Sequence, residues 1–193
     1  MDDLLNLFLE TATLKRMPRT GWAMRGVSVV ESVAEHSYGV AWMALVLADA
    51  LNDAGTEPPL DRERVLIQAL LHDLGEVRLT DLPGSATRLL PRGIKSQAEQ
   101  RALQGLLAAL PAALRREYLA RWQEFEDRST PEGRLVRDAD KLEMMVQCLR
   151  YEMAGHRGLD EFWHSMDRND WAFDLSARVY ARLKERHLAL VGP

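Results

Sequence analysis

Apolar residues recur at intervals of three and four along almost the whole chain, the spacing of helices that each bury one face. Over residues 3–15, Leu4, Leu7, Phe8 and Leu14 share a face, with Asp2 and Asp3 placed to cap the start. Pro18, Gly21 and Gly26 then mark a loop over 17–32. A second helix is predicted over 33–52, with Val33, His36, Val40, Met43, Leu47 and Ala50 inward, and Gly55, Pro58 and Pro59 end it. Asp61 can cap a third helix running to Gly75, in which Val65, Ala69, His72 and Glu76 line one face and Leu66, Leu70 and Asp73 the adjacent one. Residues 77–93 hold Pro83, Gly84, Pro91 and Gly93 and read as an irregular loop before helices at 96–110 and from Pro111 to near Asp127. Thr130-Pro131-Glu132 supplies a cap followed by proline at the first helical position, opening a long helix through Met153 with Leu135, Ala139, Leu142, Val146 and Leu149 inward. Short helical patterns at 160–165 and 173–190 complete the chain. With no alternating strand pattern and no internal repeat, the prediction is an all-α fold, a compact single-domain helical bundle over residues 1–193.

Composition narrows the function. A chain of 193 residues can bury roughly 70% of its unfolded surface, so it needs no metal or disulfide to fold, and a bound metal would serve chemistry. Twenty-five Lys and Arg against 29 Asp and Glu leave a net charge of -4, without the basic excess that binds a nucleic-acid polymer. Cys148 stands alone, and Met1-Asp2-Asp3 does not open a basic-then-apolar leader; both point to the cytoplasm. The apolar run around residues 40–50 is interrupted by Asp49 and falls short of the ~20 residues a bilayer requires, so no membrane partner is expected.

His36, the pair His72-Asp73, and Asp140 occur on three different predicted helices, at or beside apolar faces. A carboxylate there costs several kcal/mol unless a cation or a donor compensates it. Two imidazoles and two carboxylates form a mixed nitrogen and oxygen set suited to one divalent ion (Mn, Co, Fe, Ni, Zn or Mg), with room for open positions. The plain alternative is a satisfied core histidine, and a His-Asp pair that occurs by chance. His156, His164 and His187 are assigned to surface positions, and Trp42, Trp122, Trp163 and Trp171 to the core or to subunit contacts.

The order His, His-Asp, Asp resembles the HD-domain metal-dependent phosphohydrolases, and within them the branch of the 5′-deoxynucleotidases. The segments that carry the likeness are Arg19-Thr20-Gly21-Trp22, Glu31-Ser32-Val33-Ala34-Glu35-His36-Ser37, Leu71-His72-Asp73-Leu74-Gly75-Glu76 through Asp81, and Val136-Arg137-Asp138-Ala139-Asp140-Lys141-Leu142. The resemblance implies that His36, His72, Asp73 and Asp140 bind the ion. It also implies that Glu76 positions or deprotonates the attacking water, and that Asp81 lies near the sugar and leaving oxygen. Trp22 matches a tryptophan that lies against the sugar, with a core plug as the structural alternative. Arg19 is the choice for a bidentate phosphate clamp. Thr20 and Gly21 separate it from Trp22, where the best-known members place the arginine directly before the tryptophan, so Arg25 is the substitute.

The activity so implied is removal of the 5′-phosphate from a deoxyribonucleoside monophosphate, by a homodimer of the kind common in the branch. Two further readings are another HD chemistry on a nucleotide or phosphorylated small molecule, and a metal- or nucleotide-binding module without turnover. Glu76 is followed by Val77 rather than by the aspartate of alarmone hydrolases, and no histidine occurs from Val77 to Ala139 to support a second ion.

Overall fold

The computed structural model describes residues 2–191, and among these the regular elements are helical, with no strand. The opening segment is α1 (Asp2–Thr11), continued by a 3₁₀ turn (Ala12–Arg16). Leu7 and Leu14 face inward as expected, whereas Phe8 is turned to solvent. The predicted loop over 17–32 contains a short helix, α2 (Thr20–Ala23), and an isolated bridge between Pro18 and Ser32 that ties its two ends.

The framework is α3 (Val33–Asp53), α4 (Arg62–Leu71) and α9 (Pro131–Met153), which pack against one another around the principal core. Each begins at a side-chain cap, two of them (Asp61 and Thr130) expected from the sequence. Ser32 accepts from the Glu35 N–H while the Glu35 carboxylate accepts from the Ser32 N–H; Asp61 accepts from the Glu63 and Arg64 N–H groups; Thr130 accepts from the Gly133 N–H. Their inward stripes supply Val33, Val40, Ala44, Leu47, Val65, Ala69, Leu135, Ala139 and Leu142 to the interior.

The predicted loop over 77–93 contains two helical turns, α5 (Glu76–Leu79) and α6 (Gly84–Thr87). After it come α7 (Ile94–Leu106), a 3₁₀ turn (Leu107–Ala109) and α8 (Ala112–Glu126), which with α4 enclose a smaller cluster of Leu71, Leu103, Leu107 and Trp122. The short α10 (Asp160–Met166) and α11 (Asp174–Val191) close over α9. There His187 departs from expectation. It is buried, stacked on Trp163 at 4.2 Å between ring centroids, with its Nδ1 2.8 Å from a Glu152 carboxylate oxygen that needs a partner in the core. Trp22, Trp122 and Trp163 are core residues, while Trp42 is exposed.

Candidate functional site

His36 lies in the first turn of α3, and Asp140 and Glu143 in the middle of α9. His72 and Asp73 follow directly on the last residue of α4. The sequence predicts one helix through Gly75, but the α-helix stops at Leu71. The chain tightens into three-residue steps, with Leu74 N–H bonded to Leu71 O, Glu76 N–H to Asp73 O and Arg78 N–H to Gly75 O. In such a turn residues three apart eclipse, so Asp73 and Glu76 come onto one side. Gly75 permits this because α7 presses on it: a Cβ there would sit 3.0 Å from the Glu99 carbonyl oxygen.

The side chains converge. His36 Nε2 is 3.4 Å from His72 Nε2, 3.4 Å from Asp140 Oδ1 and 3.7 Å from Asp73 Oδ2, and His72 Nε2 is 3.2 Å from the same Asp73 oxygen. The far nitrogens are occupied. His72 Nδ1 is 2.7 Å from the Ala69 carbonyl oxygen, to which only an N–H can donate, and His36 Nδ1 is bonded to Glu143. Both Nε2 atoms therefore meet two carboxylate oxygens in a buried space, a mixed set of two nitrogens and two oxygens of the kind a divalent ion would complete.

Charge at this point is strongly unbalanced. Glu31, Asp73, Glu76, Asp81, Asp140 and Glu143 gather around Arg19, Lys95 and Lys141. Burial alone would raise the Asp73 and Asp140 carboxyls; His72 and Arg19 beside the first, and Lys141 and His36 beside the second, hold both well below the usual carboxylate range. Burial and the Arg19 charge push His36 down, but hydrogen bonds to Asp140 and Glu143 outweigh them and raise it to about 9. Glu76, only 2% exposed, has an Oε2 with no hydrogen-bond partner, and burial with the charges of Asp73 and Asp81 pushes it up to about 9. A buried oxygen left without a partner, beside Asp73 and Asp81, fits a site built around a positive ion and a water.

Arg19 reaches the cluster, 3.0 Å from Asp73 Oδ2 and 3.5 Å from Asp81 Oδ1. Asp81 is buried, its Oδ2 2.5 Å from the Thr20 N–H and 2.8 Å from the Thr20 hydroxyl. Thr20, one of the two residues interposed after Arg19, thus anchors Asp81. The residue before Asp81, Thr80, adopts φ 68°, a strained conformation for a β-branched side chain.

Two residues expected at the substrate have other partners in this structure. Trp22 is 2% exposed, packed against Phe162 at 4.2 Å and Tyr151 at 5.4 Å, with its indole N–H donated to Glu31 Oε1 at 2.8 Å; no ring face is open to a sugar. Arg25 is paired with Glu161, away from the histidines. Of the two arginines, the structure brings Arg19 alone to the cluster.

Three residues at the site escape a reading by motif. Glu143 follows Asp140 by three positions on one helix, which was the available signal. Glu31 accepts from Trp22 and is raised to about 7 by burial and the Glu143 charge. Lys95, on α7 and bonded to Glu99, lies close enough for its charge to act on Asp73 and Glu76.

Known proteins share this pattern. Residues 11–170 match the sequence pattern of the HD domain. The chain is 34% identical over 169 residues to the zebrafish (Danio rerio) protein named 5′-deoxynucleotidase HDDC2, covering 86% of this chain and 80% of that one. The human protein of the same name is 34% identical over 164 residues, covering 84% and 76%. Among solved structures, a conserved hypothetical protein from Pyrococcus furiosus superposes with a TM-score of 0.79 at 39% identity, covering 95% of this chain and 98% of that one. By sequence pattern and by fold alike, this chain belongs to the HD domain family.

Proposed function

We propose that the protein is a metal-dependent phosphomonoesterase that removes the 5′-phosphate from deoxyribonucleoside monophosphates, giving deoxynucleoside and phosphate. The observation that carries this reading is the convergence of two imidazole Nε2 atoms and two carboxylates beside Arg19 and the unpartnered Glu76. The curated relatives named as 5′-deoxynucleotidases support the substrate class.

His36, His72, Asp73 and Asp140 hold the ion, which when bound neutralises charge on the phosphoryl oxygens. Arg19 clamps the phosphate, its guanidinium already aimed at the cluster by Asp73 and Asp81. Glu76 takes a proton from the attacking water as the new oxygen–phosphorus bond forms, and returns it to the 5′-oxygen as the old bond breaks. Asp81, held as an acceptor by Thr20, places Arg19 and the sugar. The enzyme works in the cytoplasm, in keeping with its single buried cysteine, and pairs as a homodimer through the exposed Tyr38, Trp42 and Val46 on α3. No helix among the described residues is long and apolar enough to cross a membrane.

Phosphate release from a panel of deoxy- and ribonucleoside monophosphates, after stripping and adding back single divalent ions, tests the reading. Release should require an ion and favour the deoxy compounds. Glu76→Gln should keep nucleotide binding and lose about 10²-fold or more in rate; undiminished turnover in that variant would remove Glu76 from its role.

A further inference from the structure

On the side of α9 reached from the α8–α9 turn and the segment entering α11, a cavity of about 150 Å³ is lined by Arg128, Arg134, Arg137, Asp138, Asn169 and Asp170. Its charge is positive on balance, three guanidiniums against the carboxyls of Asp138 and Asp170. Asp138 accepts from the N–H groups of Ala172 at 3.2 Å and Phe173 at 3.1 Å, so both its oxygens are committed to the backbone that starts α11. Among the described residues no carboxylate forms an ion pair with Arg128, Arg134 or Arg137. The hydrogen bond found for these guanidiniums is a long one, 3.4 Å from Arg134 to the Arg128 carbonyl oxygen. Arg137 is half-buried with its Cζ 5.5 Å above the Phe125 ring, and its Nε is buried without any partner. An orphaned buried donor and three unpaired cations around one small cavity describe a site short of an anion.

We propose that this cavity is a second anion site, separate from the histidine cluster, that takes a phosphate group. Three guanidiniums offer the several directed N–H donors that a tetrahedral dianion needs, and nothing in the wall competes as an unsatisfied carboxylate except Asp170. The guanidiniums are what the wall offers a ligand, so the phosphate is what is read, free or as the end of a larger molecule. Phe125 lies between the two sites, under Arg137 on one side and 5.7 Å from the His72 ring on the other.

Calorimetric titration of the full chain with sodium phosphate tests the site. In the Arg19→Gln background, which removes the cation of the catalytic cluster, phosphate binding should persist; adding Arg128→Gln and Arg134→Gln should weaken it at least tenfold. Both of these arginines are exposed, so the melting curve should not move, and Arg137→Gln gives an independent readout of the same loss. A deoxynucleoside monophosphate titrated in the Arg19→Gln background separates the sources: binding equal to that of inorganic phosphate means the free group is recognised, and tighter binding means a phosphorylated molecule. Loss of all phosphate binding with Arg19→Gln alone, or unchanged binding without Arg128 and Arg134, overturns the proposal.

Discussion

His36 has no exposed surface, yet both its ring nitrogens face carboxylates, Glu143 on one side and Asp73 and Asp140 on the other. An imidazole that holds an ion through Nε2 is fixed in tautomer and direction by what Nδ1 meets, and here that is Glu143. Glu143→Ala should therefore lower the affinity for the divalent ion by about 10- to 100-fold while leaving all four donors in place. Titration of metal-stripped protein measures it, and an unchanged affinity would mean that packing alone holds the ring. The four converging residues were legible in the sequence because each is a polar residue at or beside an inward helical position. Glu143 was not, because a carboxylate on a long helix reads as solvated until the neighbouring helix is known. For Trp22 the motif marks a place in the chain, and burial against Phe162 and Tyr151, the core-plug alternative, sets what its ring touches here.

Between elements, α3 comes close to α9 at the site. A Cβ on Gly39 would lie 2.7 Å from Glu143 Cγ, so glycine in mid-helix makes room for the carboxylate that orients His36, one turn away. Ordinarily Gly→Ala in a helix interior gains about 1 kcal/mol. Here the displaced Glu143 should reverse the sign, with Gly39→Ala costing ~1–2 kcal/mol and weakening ion binding as Glu143→Ala does. In the Glu143→Ala background the same substitution should become stabilising by up to about 1 kcal/mol, since its obstacle is gone. Urea unfolding of the four proteins gives the cycle, and additive effects would sink the account. The helices themselves were legible from caps and periodicity. The end of α4 at Leu71 was not, since the apolar spacing continues past it and only the tight contact of α7 at Gly75 shows why the chain steps down into the turn that aligns Asp73 with Glu76.

For the whole molecule, the gathering of buried acids makes the ion part of the stability balance. Without an ion, Glu31 is raised from 4.5 to about 7, Glu76 from 4.5 to about 9, and His36 from 6.5 to about 9. A group whose value is raised in the fold keeps its proton where the unfolded chain has lost it. Its stabilising contribution is complete below the ordinary value and disappears as pH climbs through the raised one. All three act in the same direction, so metal-free protein should lose stability as pH rises from about 4.5 to 9, by up to about 1.4 kcal/mol per pH unit for each group titrating. Asp73 and Asp140, held low, contribute above their ordinary value of 3.8 and are lost only in stronger acid, outside this window. A saturating ion should oppose the fall, because it favours the deprotonated acids and stabilises by mass action, so the gap between metal-loaded and stripped protein should widen with pH. Urea unfolding in chelator at pH 5, 7 and 9 measures the slope. Glu31→Gln should flatten its lower half alone and Glu76→Gln the slope over the whole range, whereas stability that rises with pH in the stripped protein would show that these acids are already compensated without an ion.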